Sequence, residues 1–130
     1  MQDYASLYAQ SVDDVESFWL DAAQHIAWDT PPETGLDRSE PPFYRWFPDG
    51  RLNTCFNAVD RHVLAGRGNQ DAIIYDSPIT STISKLTFSE LQKKTAQFAG
   101  MLSGLGVATG DRVIIYMPMI PESIVAMLGC

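Results

Sequence analysis

Residues 87–117 read TFSELQKKTAQFAGMLSGLGVATGDRVIIYM, and the order of elements in this stretch decides the fold class. Thr87-Phe88-Ser89-Glu90 has the form of a capping box, a hydroxyl at the helix cap and a carboxylate three residues later. Leu91, Thr95, Phe98, Ala99, Leu102 and Leu105 then recur at helical spacing and predict one buried face. Gly106 is placed to end that helix in a left-handed conformation. ATGD predicts a turn. RVIIYM is a nearly continuous apolar run, the pattern of a strand buried on both faces, as in a parallel sheet. Helix, turn and buried strand in this order predict an α/β fold.

Toward the N terminus, AIIY (72–75) and KLTF (85–88) predict two strands of a hairpin, with SPITSTIS (77–84) as a long loop between them. Before the hairpin, TCFNAVDRHVLAG predicts a helix capped by Asn53, with Phe56, Val59 and Val63 on one stripe and its end at Gly66 or Gly68. Pro48-Asp49-Gly50 is a turn, and FYRWF (43–47) is strand-like. Residues 29–42, DTPPETGLDRSEPP, predict a proline-rich strap. Farther back, Tyr4 to Gln10 predict a short helix. Ser11 is placed to cap a second, with Asp13 and Asp14 in its first turn. Val15, Phe18, Trp19, Ala22 and Ile26 form its apolar face. Toward the C terminus, a helix is expected from Pro121. Its apolar Ile124, Val125, Met127 and Leu128 need a partner surface, and the single predicted parallel strand needs neighbours. Both features predict the front of a larger domain, truncated at residue 130.

Composition sets limits on partners. The chain has 130 residues, 45% hydrophobic and 19% charged, with a net charge of −7. This is the balance of a globular chain, and an acidic surface argues against nucleic acid or an anionic membrane as the main partner. Cys55 and Cys130 make neither a disulfide framework nor a metal pattern, which fits a reducing compartment. The start, MQDYASLYAQ, lacks the basic and apolar regions of a secretory signal. No run of eighteen apolar residues occurs.

Several stretches invite a chemical reading. GLGVATG (104–110) contains G-x-G, but a dinucleotide fingerprint needs a strand before it and a helix after it. The order here is reversed, so a helix cap and a turn are expected. SPITSTIS with Lys85 is rich in hydroxyls but has no glycine for close approach of a phosphate. Cys55, His62 and His25 fall short of a zinc ligand set, and Asp60, Arg61 and His62 are expected to bond the helix to its neighbours. Tyr44, Trp46 and Phe47, with Arg45 and Arg51, are expected to cover a core edge rather than stack a base. Glu122 already supplies negative charge at the last helix's first turn, between Pro118 and the helix body. The residues alone predict no catalytic, cofactor-binding or metal-binding residue.

Read in order, the C-terminal segments resemble the AMP-forming acyl-CoA synthetases, the adenylate-forming enzymes. In that family a helix opening T-[FY]-x-E-L leads to a G-x-x-x-GDRV turn, a strand and MP-x-x-PE. Thr87, Glu90, Leu91, Gly106, Gly110, Asp111, Arg112, Val113, Met117, Pro118, Pro121 and Glu122 match. LNTCFNAVDRHV (52–63) and AIIYDSPIT (72–80) resemble the propionyl-CoA synthetase branch. SVDDVESFWLDAAQHIAWDTP is similar to the N-terminal extension of acetyl- and propionyl-CoA synthetases.

The resemblance implies a partial N-terminal subdomain of the adenylate-forming fold. Residues 1–42 would be a helical extension and strap, and residues 43–130 the start of the large adenylation domain. It implies propionate–CoA ligase chemistry for the parent enzyme, with ATP, Mg2+ and CoA. The phosphate loop, the adenine and ribose contacts, the acyl pocket and the catalytic lysine would lie beyond residue 130. The isolated chain is then expected to be inactive and to hold none of these ligands tightly. Its partners would be the rest of the enzyme, or a second copy through residues 121–130, in the cytoplasm or in a mitochondrial matrix after removal of a transit peptide. The alternatives are acetate specificity, a non-catalytic assembly module that pairs with a separate chain, and a medium-chain dehydrogenase domain suggested by GDRV alone.

Overall fold

A computed structural model describes residues 3–130. Packing divides the chain at Asn53/Thr54 into two compact units. Among the described residues, no helix is long and apolar enough to cross a membrane.

The first unit opens with α1, Tyr4–Asp13, capped by Asp3, whose carboxylate accepts from the Ser6 N–H at 2.9 Å and from its hydroxyl at 3.0 Å. Ser11 is not a cap. It lies inside α1 and donates back to the Tyr8 carbonyl at 2.8 Å, a bond that serves the hydroxyl without ending the helix. Asp13 closes α1, and Asp14 joins it to α2, Val15–Ala23. α2 stops short of Ile26, because the Ile26 N–H bonds the Ala23 carbonyl at 3.0 Å in a tightened last turn and the Trp28 indole donates to the same carbonyl at 2.8 Å.

The proline-rich strap is tied down at several points. Thr30 pairs with Arg51, and β1, Leu36–Asp37, pairs antiparallel with β2, Arg45–Trp46. Asp49 accepts from the Glu33 N–H at 2.9 Å, so the PDG turn also holds the strap. Gly50 is required because a β-carbon there would stand 2.7 Å from the Trp28 ring. Trp19, Trp46, Phe47 and Trp28 then meet edge to face or tilted at 5.6–6.0 Å between centroids.

The second unit opens with a helix from residue 54 that widens to π geometry over Phe56–Asp60 and Val63–Arg67. Gly66, at φ +79°, ends its regular course. Next comes an antiparallel hairpin, β3 Asp71–Ser77 and β4 Thr82–Thr87, with an irregularity between Asp71 and Ile73. The connection is shorter than expected: residues 82–84 extend β4, and Ser81 takes a positive φ of 52° to close the turn. α3, Phe88–Gly104, follows without a break. α4 is Pro121–Gly129, with proline at its start and Glu122 in its first turn.

The core of this unit joins Val59, Leu91 and Val125, with Cys55, Ala72, Ile73, Phe98 and Leu128 packed on it. Val59 is 1% exposed and Leu91 4%. The expected face of α3 is correct at its start. It fails at Leu105, which is 74% exposed because the helix has already turned into its cap. The expectation for α4 needs a larger correction. Val125 is buried and Leu128 packs on the core, so of the four apolar residues only Met127 is exposed.

Mixed helix and strand bear out the α/β reading, but RVIIYM forms no strand. Residues 112–117 join no sheet, and Ile114 and Tyr116 are 91% and 99% exposed. Strand formation needs hydrogen-bonding neighbours, and both described sheets are two-stranded ladders elsewhere.

Candidate functional site

The family-like segment centres on the two ends of α3. At its start the capping box is complete. The Thr87 hydroxyl accepts from the Glu90 N–H at 3.2 Å, and the Glu90 carboxylate accepts from the Thr87 N–H at 2.9 Å. These bonds hold the Glu90 carboxyl below its ordinary value.

At its end, the Val107 N–H bonds the Leu102 carbonyl at 3.1 Å and the Gly106 N–H bonds the Ser103 carbonyl at 3.0 Å. This is a Schellman cap with Gly106 at φ +88°. The next turn is closed from both sides. The Asp111 N–H bonds the Ala108 carbonyl at 3.1 Å, and the Asp111 carboxylate accepts from the Ala108 N–H at 2.8 Å. Gly110 sits at φ +95° within it. GLGVATG is therefore a cap and a turn, with the Gly106, Val107 and Ala108 N–H groups bonded within it.

Besides a cavity of about 280 Å³ lined by Leu86, Lys94, Phe98, Met101, Glu122 and Val125, two others adjoin this framework. One of about 400 Å³ lies under the turn, between Leu102, Val107, Asp111, Val113 and Cys130. The other, about 340 Å³, is apolar and lies between Phe98, Ile114, Tyr116, Met117 and Val125. Asp111 is already bonded within its turn. In the second cavity Glu122 is the one ionisable carboxylate in the lining. Neither pairs an acid with a base in the way general acid–base chemistry requires.

The other candidates are spent on structure. Lys85 pairs with Asp71 at 2.5 Å across the hairpin, so its ammonium is not aimed into the SPITSTIS turn. Within that turn the buried Ser77 hydroxyl accepts from the Thr80 N–H at 3.4 Å. Burial pushes the Cys55 thiol up, and Asp60 adds to the shift; a nucleophilic cysteine needs the opposite. His62 touches Arg67 through Nδ1 and lies 5.0 Å from the Phe88 ring. Loss of water, then Arg67 and Arg61, lower its basicity. Asp60 accepts from Gln92 at 2.6 Å, the bond to a neighbouring element expected of that helix. Arg45 pairs with Asp37 at 2.7 Å, and Trp46 and Phe47 pack against Trp19 and Trp28, while Tyr44 stays exposed. Among the described residues, no three His, Cys, Asp or Glu side chains converge where a metal could bind. Sequence reasoning missed the Asp3 cap, although aspartate just ahead of a helix is itself a usual N-cap residue.

Comparison with known proteins places this framework. A model of the acetyl-coenzyme A synthetase N-terminus matches residues 4–58, and a model of AMP-binding enzymes matches residues 60–130. The chain belongs to the AMP-binding enzyme family. It is 46% identical over 128 residues to the rat protein "Acyl-CoA synthetase short-chain family member 3, mitochondrial", covering 98% of this chain and 19% of that protein. It is 47% identical over 131 residues to the acetyl-coenzyme A synthetase of Thiobacillus denitrificans, covering 100% of this chain and 20% of that one. The solved acetoacetyl-CoA synthetase from Streptomyces lividans superposes with a TM-score of 0.83 at 32% identity, over 99% of this chain and 20% of the other. The chain thus spans about a fifth of the length of the relatives it matches.

Proposed function

We propose that this chain is the N-terminal part of a short-chain acyl-CoA synthetase that acts on propionate. Propionate and ATP give propionyl-AMP and pyrophosphate, and CoA then displaces AMP to give propionyl-CoA. The observation that carries the reading is the unbroken match of both units to synthetases along nearly the whole chain. Propionate is supported by the likeness of residues 52–63 and 72–80 to the propionyl-CoA synthetase branch. Acetate is the second reading, favoured by the 47% identity to an acetyl-coenzyme A synthetase.

Adenylation requires a neutralised triphosphate held for in-line attack by the carboxylate on the α-phosphorus. The described residues do not fit that task. They offer no metal-ligand cluster, Lys85 is paired with Asp71, and the turn bonds its Ala108 and Asp111 N–H groups within itself. ATP, Mg2+ and CoA are therefore assigned to the parent enzyme, and no step is routed through residues of this chain. Its part is to supply the hairpin, the capped α3 and the turn on which a larger domain is built.

The test is AMP formation by the synthetase that carries this chain at its N terminus, with ATP, magnesium and CoA and with propionate, acetate or acetoacetate as the acid. The reading predicts the highest kcat/KM for propionate. A preference for acetate establishes the second reading, and AMP formation independent of any short acid overturns both.

A further inference from the structure

α1 is a helix without a core. Every residue from Tyr4 to Gln10 is exposed. A ten-residue helix gains little from its own hydrogen bonds in water, so packing must stabilise it. Tyr4, Leu7, Tyr8 and Val12 lie on one face by their spacing, all four exposed, Tyr4 to 81%. The Tyr4 and Tyr8 rings stack at 6.1 Å, which makes the stripe one continuous surface. Paired tyrosines beside aliphatic side chains are the usual content of a protein–protein contact.

Charge says what covers it. Residues 1–53 hold ten acidic and three basic side chains, while residues 54–130 hold six of each, so the whole net charge of −7 belongs to the first unit. α1 has no basic residue in its last turn, where the helix dipole is negative. Asp13 and Asp14 stand at that same end, and neither forms an ion pair among the described residues. A second copy would bring like charge against like, which is costly at an interface. An apolar groove rimmed by lysine or arginine fits instead.

We propose that the Tyr4–Leu7–Tyr8–Val12 face of α1 docks in such a basic-rimmed apolar groove on the part of the synthetase that follows this chain. The inference rests on the ligase reading above. Two observations point to that occupant rather than to a separate protein. The match to the synthetase N-terminus model begins at residue 4, so α1 belongs to the shared module. The relatives that share it are about five times longer than this chain, which leaves ample surface to receive it.

Hydrogen exchange, read by peptide mass spectrometry on the 130-residue chain and on the synthetase carrying it, tests the proposal. Amides of residues 7–13 should exchange at least about tenfold more slowly in the synthetase. Asp13→Lys with Asp14→Lys should remove most of that slowing and leave α3 unchanged. Equal rates in the two proteins overturn the proposal, as does slowing that survives the double substitution. Protection in the isolated chain that rises with concentration overturns it in favour of a second copy. An active synthetase with fast exchange at α1 defeats the docking alone. Slow exchange at α1 in a protein that forms no AMP defeats the ligase reading alone.

Discussion

Thr87 starts the longest helix of the chain through two reciprocal bonds with Glu90. Thr87→Ala should cost about 1 kcal/mol, read as a shifted urea midpoint with unchanged slope. The partner residue adds a pH dependence. Glu90 has a folded pKa below its ordinary 4.5, so the unfolded chain binds protons more readily than the folded one. The stabilisation is present above that ordinary value and is lost as pH falls through the folded one. Acid titration of the midpoint should therefore show a decline that starts near the ordinary value, and Glu90→Gln should flatten it. Thr95 poses the opposite case. It is 4% exposed, and its hydroxyl has no hydrogen-bond partner. An orphaned buried hydroxyl costs free energy that an isosteric methyl does not. Thr95→Val should be neutral or should raise the midpoint; a loss of more than about 1 kcal/mol would reveal a bond to that hydroxyl.

At the scale of elements, α3 shows what periodicity can and cannot tell. Its start, its cap residues and its first two buried positions are legible, because capping chemistry and 3.6-residue spacing are local properties. Leu105 keeps the spacing but has lost the helix, and the sequence carries no sign of which turn is last. Leu91→Ala should cost about 2–5 kcal/mol, and Leu105→Ala should change stability by no more than about 0.5 kcal/mol in either direction. Gly106→Ala should cost about 1 kcal/mol, since alanine at φ +88° strains the Schellman cap. Thermal or urea denaturation of the three variants checks all of these. Asp3 and Ser11 illustrate a competition that spacing leaves open. Either could begin a helix; the Asp3 carboxylate accepts from the Ser6 N–H and caps α1, whereas the Ser11 hydroxyl donates back to the Tyr8 carbonyl inside it. Width is also hidden: nothing in TCFNAVDRHVLAG distinguishes π from α geometry.

Over the whole molecule, the class of fold and the family were legible, because T-F-x-E-L, GDRV and MP-x-x-PE each bind a local structure to a fixed order. Sheet membership was not. RVIIYM has the composition of a buried strand, yet pairing depends on neighbours far along a chain, and residues 112–117 stay outside any sheet. Their amides should exchange rapidly in the 130-residue chain, as peptide-resolved hydrogen exchange would show. For the candidate side chains, spacing offers a structural role without naming the partner. Lys85, Cys55, His62 and Asp111 have structural partners or a packed place that spacing alone only suggested. The central claim is that this chain provides framework and not reacting groups to a short-chain acyl-CoA synthetase. AMP formation, measured side by side for the 130-residue chain and for the synthetase carrying it, with ATP, magnesium, CoA and propionate, tests it most directly. The account predicts AMP that depends on the acid from the synthetase and nothing above the blank from the chain alone. Turnover by the chain alone that survives repurification would contradict it.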